Sequence, residues 1–191
     1  MRVLILLFMW LPCMGAAQFN AENDGLNAWS RIYEVVSHPR CANCHTGASD
    51  RPMWSGPSYG RARPHGMNIR AGESRIGAET LPCRTCHVTT LNSPEKTAPH
   101  AAPQVTTAWR LAPTEADWFG RSSAFICAQL RDPDRNGGRT VAELMDHLEH
   151  DVILHWAWSP GGGREPAPYD LQSHIADLKA WGEAGQPCPK D

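Results

Sequence analysis

The chain has 191 residues, with 18 Lys and Arg against 20 Asp and Glu and a formal net charge of −2, which excludes a nucleic-acid surface built on excess positive charge. Its length suits one domain, and 16 Gly with 16 Pro imply that much of it is irregular. A loop-rich chain of this size needs something beyond its own side chains to build a core.

Met1-Arg2 precedes an apolar run from Val3 to Leu11, then Pro12 and the small residues Gly15, Ala16 and Ala17. A basic start, a short apolar stretch and small residues at the end are the three parts of a secretory signal, with cleavage expected after Ala17. A membrane anchor would need about twenty apolar residues. Trp10-Leu11-Pro12 before Cys13 are not the small residues of a lipoprotein signal, so Cys13 leaves with the peptide. Residues 18–191 are expected to form one periplasmic domain with no membrane span.

Asn23 or Asp24 can cap a first helix through Leu26, Trp29, Ile32, Tyr33 and Val36, which have helical spacing. The chain then enters Cys41-Ala42-Asn43-Cys44-His45. Residues 46–79 are rich in Gly, Pro and Arg and read as a long loop, followed by Cys83-Arg84-Thr85-Cys86-His87 and a second irregular stretch from Thr89 to Pro113. A helix of about ten residues is expected around Ala124 to Arg131. Thr140-Val141-Ala142-Glu143 is a capping box opening a helix with Val141, Leu144, Met145, Leu148 and Val152 on its apolar face. After the loop Ser159 to Gly163, Asp170 caps a last helix carrying Leu171, Ile175, Leu178 and Trp181, closed by Gly182 and Gly185. No run alternates as a strand would. The expected fold is mainly α, compact and loop-rich, with few helices and little or no sheet.

Both cysteine motifs have the form C-x-x-C-H. Two sulfurs so spaced form thioethers to porphyrin vinyl groups, and the adjacent histidine binds iron on the proximal side. Cys41, Cys44, Cys83 and Cys86 are thus the candidate attachment points for two covalent haems c, with His45 and His87 as proximal ligands. Zinc held by two C-x-x-C pairs is the competing chemistry, but the histidine directly after each pair and an oxidising compartment argue against it. A thioredoxin-like redox pair fits less well, since neither motif follows a strand. The motifs stand only 42 positions apart, too close for two self-contained single-haem domains. One domain in which both haems share a core is expected.

Cys127 and Cys188 are the remaining cysteines of the mature chain, and an even remainder in an oxidising compartment implies a disulfide. Asp132-Pro133-Asp134-Arg135-Asn136-Gly137 with Glu143 matches a calcium-binding loop, Asp132, Asp134, Asn136 and Glu143 supplying oxygens. A plain capped turn is the other reading, since Arg139 replaces the usual aliphatic residue and Glu143 already has a capping role. Arg40, Arg61, Arg63, Arg70 and Arg110 can pair with haem propionates or form a solvated surface. For the distal iron positions the field is His38, His65, His100, His147, His150, His155 and His174 with Met53, Met67 and Met145. His147 lies at the edge of its helix's apolar stripe, whereas His150 points to the opposite side. Two classes of function follow. With both irons saturated the protein carries electrons; with one distal position open it is a haem enzyme or sensor, as in a peroxidase or gas binder.

The chain also resembles small exported dihaem c-type cytochromes, some labelled isoquinoline 1-oxidoreductase subunits and associated with molybdenum hydroxylases. The resemblance runs from about Trp29 to Pro189. Beyond the two motifs it lies in His38-Pro39-Arg40, Pro64-His65-Gly66-Met67-Asn68, Trp109-Arg110-Leu111-Ala112-Pro113, Asn136-Gly137-Gly138-Arg139, His147 followed by Asp151, Trp156 to Gly161, and Cys188-Pro189. It implies electron transfer from a molybdenum hydroxylase or other periplasmic dehydrogenase towards the respiratory chain, not catalysis by this chain. It singles out His65 and His147 as distal ligands, with Met67 and His155 as alternatives.

Overall fold

The computed structural model describes residues 14–88, 102–103 and 108–190, the side chains of 14–19 excepted. Residues 1–13 of the expected signal, with Cys13, therefore lie outside the described residues, as do His100 and most of the irregular stretch that begins at Thr89. Six α-helices and one small sheet are present: α1 (Met14–Val36), α2 (Pro39–Ala42), β1 (Met53–Gly56), β2 (Gly60–Pro64), α3 (Ser123–Arg131), α4 (Val141–His150), α5 (Val152–Trp158) and α6 (Leu171–Glu183). The fold is mainly helical and loop-rich, as expected. No helix among the described residues is long and apolar enough to cross a membrane.

The core is helical. Trp29, Ile32 and Val36 of α1 pack against Ile126, Cys127 and Leu130 of α3 and Leu178 and Trp181 of α6. Trp29 and Trp181 meet at 5.3 Å between ring centroids. Each indole is also satisfied, Trp29 Nε1 donating to Ser123 Oγ at 2.8 Å and Trp181 Nε1 to the Pro187 carbonyl at 2.9 Å, so neither buried N–H is left without an acceptor. Arg31 and Asp177 tie α1 to α6 at 2.8 Å. A disulfide, Cys127–Cys188, fastens the C-terminal tail to α3 with its Cα atoms 5.6 Å apart.

The caps expected at Thr140 and Asp170 are formed. Thr140 and Glu143 make a reciprocal capping box, and Asp170 accepts from Ser173 N–H. Three boundaries differ. Asn23 and Asp24 cap nothing: α1 is already helical from Met14 and runs through the expected cleavage point after Ala17, since no Pro or Gly interrupts residues 16–24. The helix opened at Thr140 ends at His150, because Asp151 turns extended and caps α5 by accepting from Ile153 N–H; Val152 therefore leaves the apolar stripe and is 53% exposed. Gly182 lies inside α6 rather than after it, while Gly185, at φ +81°, follows its end.

The loop read over 46–79 holds a fourth departure, a two-stranded antiparallel hairpin. Met53 faces Pro64, Trp54 faces Arg63, and a register shift precedes the Gly56–Gly60 pair. Gly56 and Gly60 take φ +105° and +71°, which the turn requires and other residues resist. Strands this short, interrupted by a shift, leave no alternation to read. Around the hairpin the backbone is irregular and held by long-range bonds: Met53 N–H to the Asn43 carbonyl, His65 N–H to the Pro52 carbonyl and Leu111 N–H to the Arg75 carbonyl. This irregular half carries both cysteine motifs.

Candidate haem site

Each motif is placed by a tight local turn. His38 caps α2 by accepting from Arg40 N–H, with Pro39 at the first helical position. His45 N–H then bonds back to the Cys41 carbonyl. A 3₁₀ turn over Cys83–Thr85 does the same at the second motif, where His87 N–H reaches the Cys83 carbonyl. In both, the turn brings the two sulfurs and the histidine to neighbouring positions. His38 is committed to its cap.

The two motifs fold towards each other. A cavity of about 250 Å³ is lined by Cys44 of the first motif, by Cys83, Cys86 and His87 of the second, and by His65, Met67, Trp109 and Trp156. Its walls are largely apolar, and Arg40 and Arg110 supply positive charge at its edge. Burial pushes the Cys41 thiol up to about 12, its neighbour Cys44 adding to this. Burial likewise pushes Cys44 up to about 11, Arg40 opposing and Cys83 adding. Cys83 is raised by burial. These are neutral, desolvated thiols rather than thiolates poised for a metal or for disulfide exchange. Among the described residues no three His, Cys, Asp or Glu side chains gather as a bare ion requires.

Both motif imidazoles are pinned against tryptophan. His45 stacks on Trp118 at 3.4 Å and 3° between planes, and His87 on Trp109 at 4.6 Å and 4°. His87 Nδ1 lies 3.0 Å from the Pro103 carbonyl; a carbonyl only accepts, so Nδ1 carries the proton and Nε2 is the free nitrogen. Burial lowers His87 to about 4, with the Pro103 carbonyl opposing and His65 adding. Burial lowers His45 to about 3, with the Ala116 backbone opposing and His147 and Arg75 adding.

Of the remaining sequence candidates, His65 lines the cavity beside the second motif, and His147, half-exposed on α4, is near enough to His45 to act on its charge. The two alternatives fare differently. Met67 lines the cavity but is 81% exposed, at φ +60°. His155 turns Nε2 to the Leu148 carbonyl at 3.1 Å on the surface. His150 pairs with Asp146 on an exposed face. His174 is buried against Trp158.

The arginines divide. Arg40, its side chain 2% exposed, pairs with Glu165 at 2.9 Å and lies over the rings of Tyr59 and Trp156. Arg70 pairs with Asp50 and Arg63 covers Trp54. The stacking of Trp118 and Trp109 on the motif imidazoles is not legible in the sequence, because contact between residues so far apart in the chain leaves no periodic signal.

Of the four residues of the calcium-loop reading, Asp132, Asn136 and Glu143 have side-chain oxygens engaged in local hydrogen bonds. Asn136 donates to the Leu130 and Arg139 carbonyls and accepts from Arg139 N–H, Glu143 accepts from Thr140, and Asp132 accepts from Asp134 N–H. Asp132, Asp134, Asn136 and Glu143 stand in a hydrogen-bonded turn and cap, not around a common centre.

The residues present fit a covalently held porphyrin: cysteines in pairs, motif imidazoles stacked on tryptophan, and a largely apolar cavity with Arg40 and Arg110 among its lining residues. Trp156 Nε1 is buried with no partner among the described residues, a donor that a propionate would satisfy. Comparison of the chain with models of protein families, with curated proteins and with solved structures finds no match to any of them.

Proposed function

We propose that this chain is a dihaem c-type cytochrome, exported to the periplasm behind a cleaved signal, that carries electrons from a periplasmic dehydrogenase, a molybdenum hydroxylase among the candidates, towards the respiratory chain. The observation that carries the reading is the meeting of both C-x-x-C-H motifs at one apolar cavity, with Cys44 and Cys83 close enough to act on each other's charge. Two irons so placed supply one-electron oxidation and reduction within a single core.

The chain's own residues do the rest. Cys41, Cys44, Cys83 and Cys86 anchor the rings, His45 and His87 present a nitrogen to each iron, and Trp118 and Trp109 hold those imidazoles in orientation. Arg40, fixed by Glu165, presents a guanidinium at the cavity wall, a donor suited to an ionised propionate. His65 lines the cavity and His147 lies near His45, which supports saturated irons and hence a carrier rather than an enzyme.

Intact mass and a denatured haem spectrum of the exported protein test the first part, with two covalent haems expected. Carbon monoxide added to the reduced protein tests the second. Little spectral change is expected of two saturated irons; a prompt full-occupancy shift at one haem would replace the carrier with a haem enzyme or gas sensor.

A further inference from the structure

Resting on the dihaem reading, we propose that His65 is the second axial ligand of the haem carried by Cys83, Cys86 and His87, and not of the haem carried by Cys41, Cys44 and His45. The rings of His65 and His87 are 6.4 Å apart between centroids, at 59° between planes. Two imidazoles on opposite sides of one metal, each bonded at about 2 Å, put their centroids roughly 6 Å apart. The pair already has that spacing.

Their nitrogens agree. His65 Nδ1 lies 2.9 Å from the Gly66 carbonyl, as His87 Nδ1 lies 3.0 Å from that of Pro103. Each ring therefore has its proton on Nδ1 and keeps Nε2 for a metal, the arrangement that outer hydrogen bonds impose on ligating histidines. Both cysteines and the histidine of the second motif line the same cavity as His65, whereas of the first motif's haem-binding residues Cys44 does and Cys41 and His45 do not.

The hairpin explains how His65 is held there. The Met53–Pro64 pairing fixes the chain just before it, its N–H bonds to the Pro52 carbonyl at 2.8 Å, and Trp54 packs against its ring at 5.0 Å. Met67, two residues on, points into solvent. The first haem would not need His65, because His147 of α4 lies near enough to His45 to act on its charge, and Leu144 and Leu148 of that helix pack against the same core as Trp118.

The test is made on the full chain with both haems attached. His65→Ala should turn one of the two irons high-spin and reactive to carbon monoxide while haem count stays at two. His65→Met, which keeps a ligand of similar reach, should raise one midpoint potential and leave the other in place, since thioether ligation raises potential. In the unsubstituted protein, nuclear Overhauser effects should connect the His65 ring to the porphyrin whose thioether bridges lead to Cys83 and Cys86. Contacts to the porphyrin of Cys41 and Cys44 would overturn the assignment, as would two unchanged low-spin irons in His65→Ala or two unchanged midpoints in His65→Met. Absence of covalent haem from the unsubstituted chain would remove the dihaem reading itself, and the assignment with it.

Discussion

His174 and Asp151 are charge-bearing residues that packing places in opposite circumstances. His174 is 3% exposed, and its Nδ1 has no hydrogen-bond partner among the described residues. Burial lowers its pKa to about 4. Below about 6.5 the unfolded chain protonates this residue while the folded one does not, so stability falls as pH drops from 6.5 to about 4 and is unaffected above. The contribution lost is roughly 3 kcal/mol. Denaturant titrations of the haem-loaded protein across that range should show a shallower acid decline for His174→Leu than for the unsubstituted chain. Asp151 instead caps α5 and lies 3.8 Å from His147 Nδ1. A carboxylate behind a ligating imidazole makes it a stronger donor and favours oxidised iron. Asn keeps the cap, so Asp151→Asn should raise one of two midpoints in a redox titration without lowering the melting temperature. Two unmoved midpoints would separate Asp151 from the haem. That His65 and His147 are the histidines to examine was legible in the chain. That His65 lies beside His87, and His147 near His45, was not, because that depends on where the hairpin and α4 lie in space.

At the scale of elements, the caps were the most legible features. A capping box is a pair of side chains bonding to backbone three residues away, so Thr140-x-x-Glu143 carries its geometry within four letters. Thr140→Ala should cost about 1 kcal/mol of stability by denaturant titration. The hairpin was illegible for the opposite reason: its bonds run to Asn43 and Pro52 and its register shifts midway. The disulfide lay between. Parity of cysteines named Cys127 and Cys188, and the structure joins them across 61 positions. In the chain-entropy model a loop of that length is worth about 4 kcal/mol. Replacing both by Ala should lower unfolding free energy by about that amount while leaving haem count unchanged, and thiol labelling of the unreduced, denatured protein should find neither cysteine free.

Across the whole molecule the chain divides its core unevenly. Trp29, Ile32, Ile126, Leu130, Leu178 and Trp181 are buried among helices, whereas between residues 37 and 120 the buried hydrophobic residues among those described are Ala42, Ala71 and Leu111. Three small or medium side chains do not order more than eighty residues against their conformational entropy. On the proposed reading the porphyrins supply the missing apolar surface. A chain with Cys41, Cys44, Cys83 and Cys86 all changed to Ala should therefore keep its helical circular dichroism while trypsin cuts rapidly at Arg61, Arg70 and Arg84. Protection of those sites equal to that of the unsubstituted protein would mean the irregular half stands without haem. What the amino-acid sequence by itself determined is local: motifs, caps, cysteine parity and helical periodicity, each set by residues a few positions apart. The hairpin, the tryptophan clamps and the nearness of His65 to His87 were decided by tertiary structure, because each depends on contacts that chain folding brings together and no short-range spacing encodes.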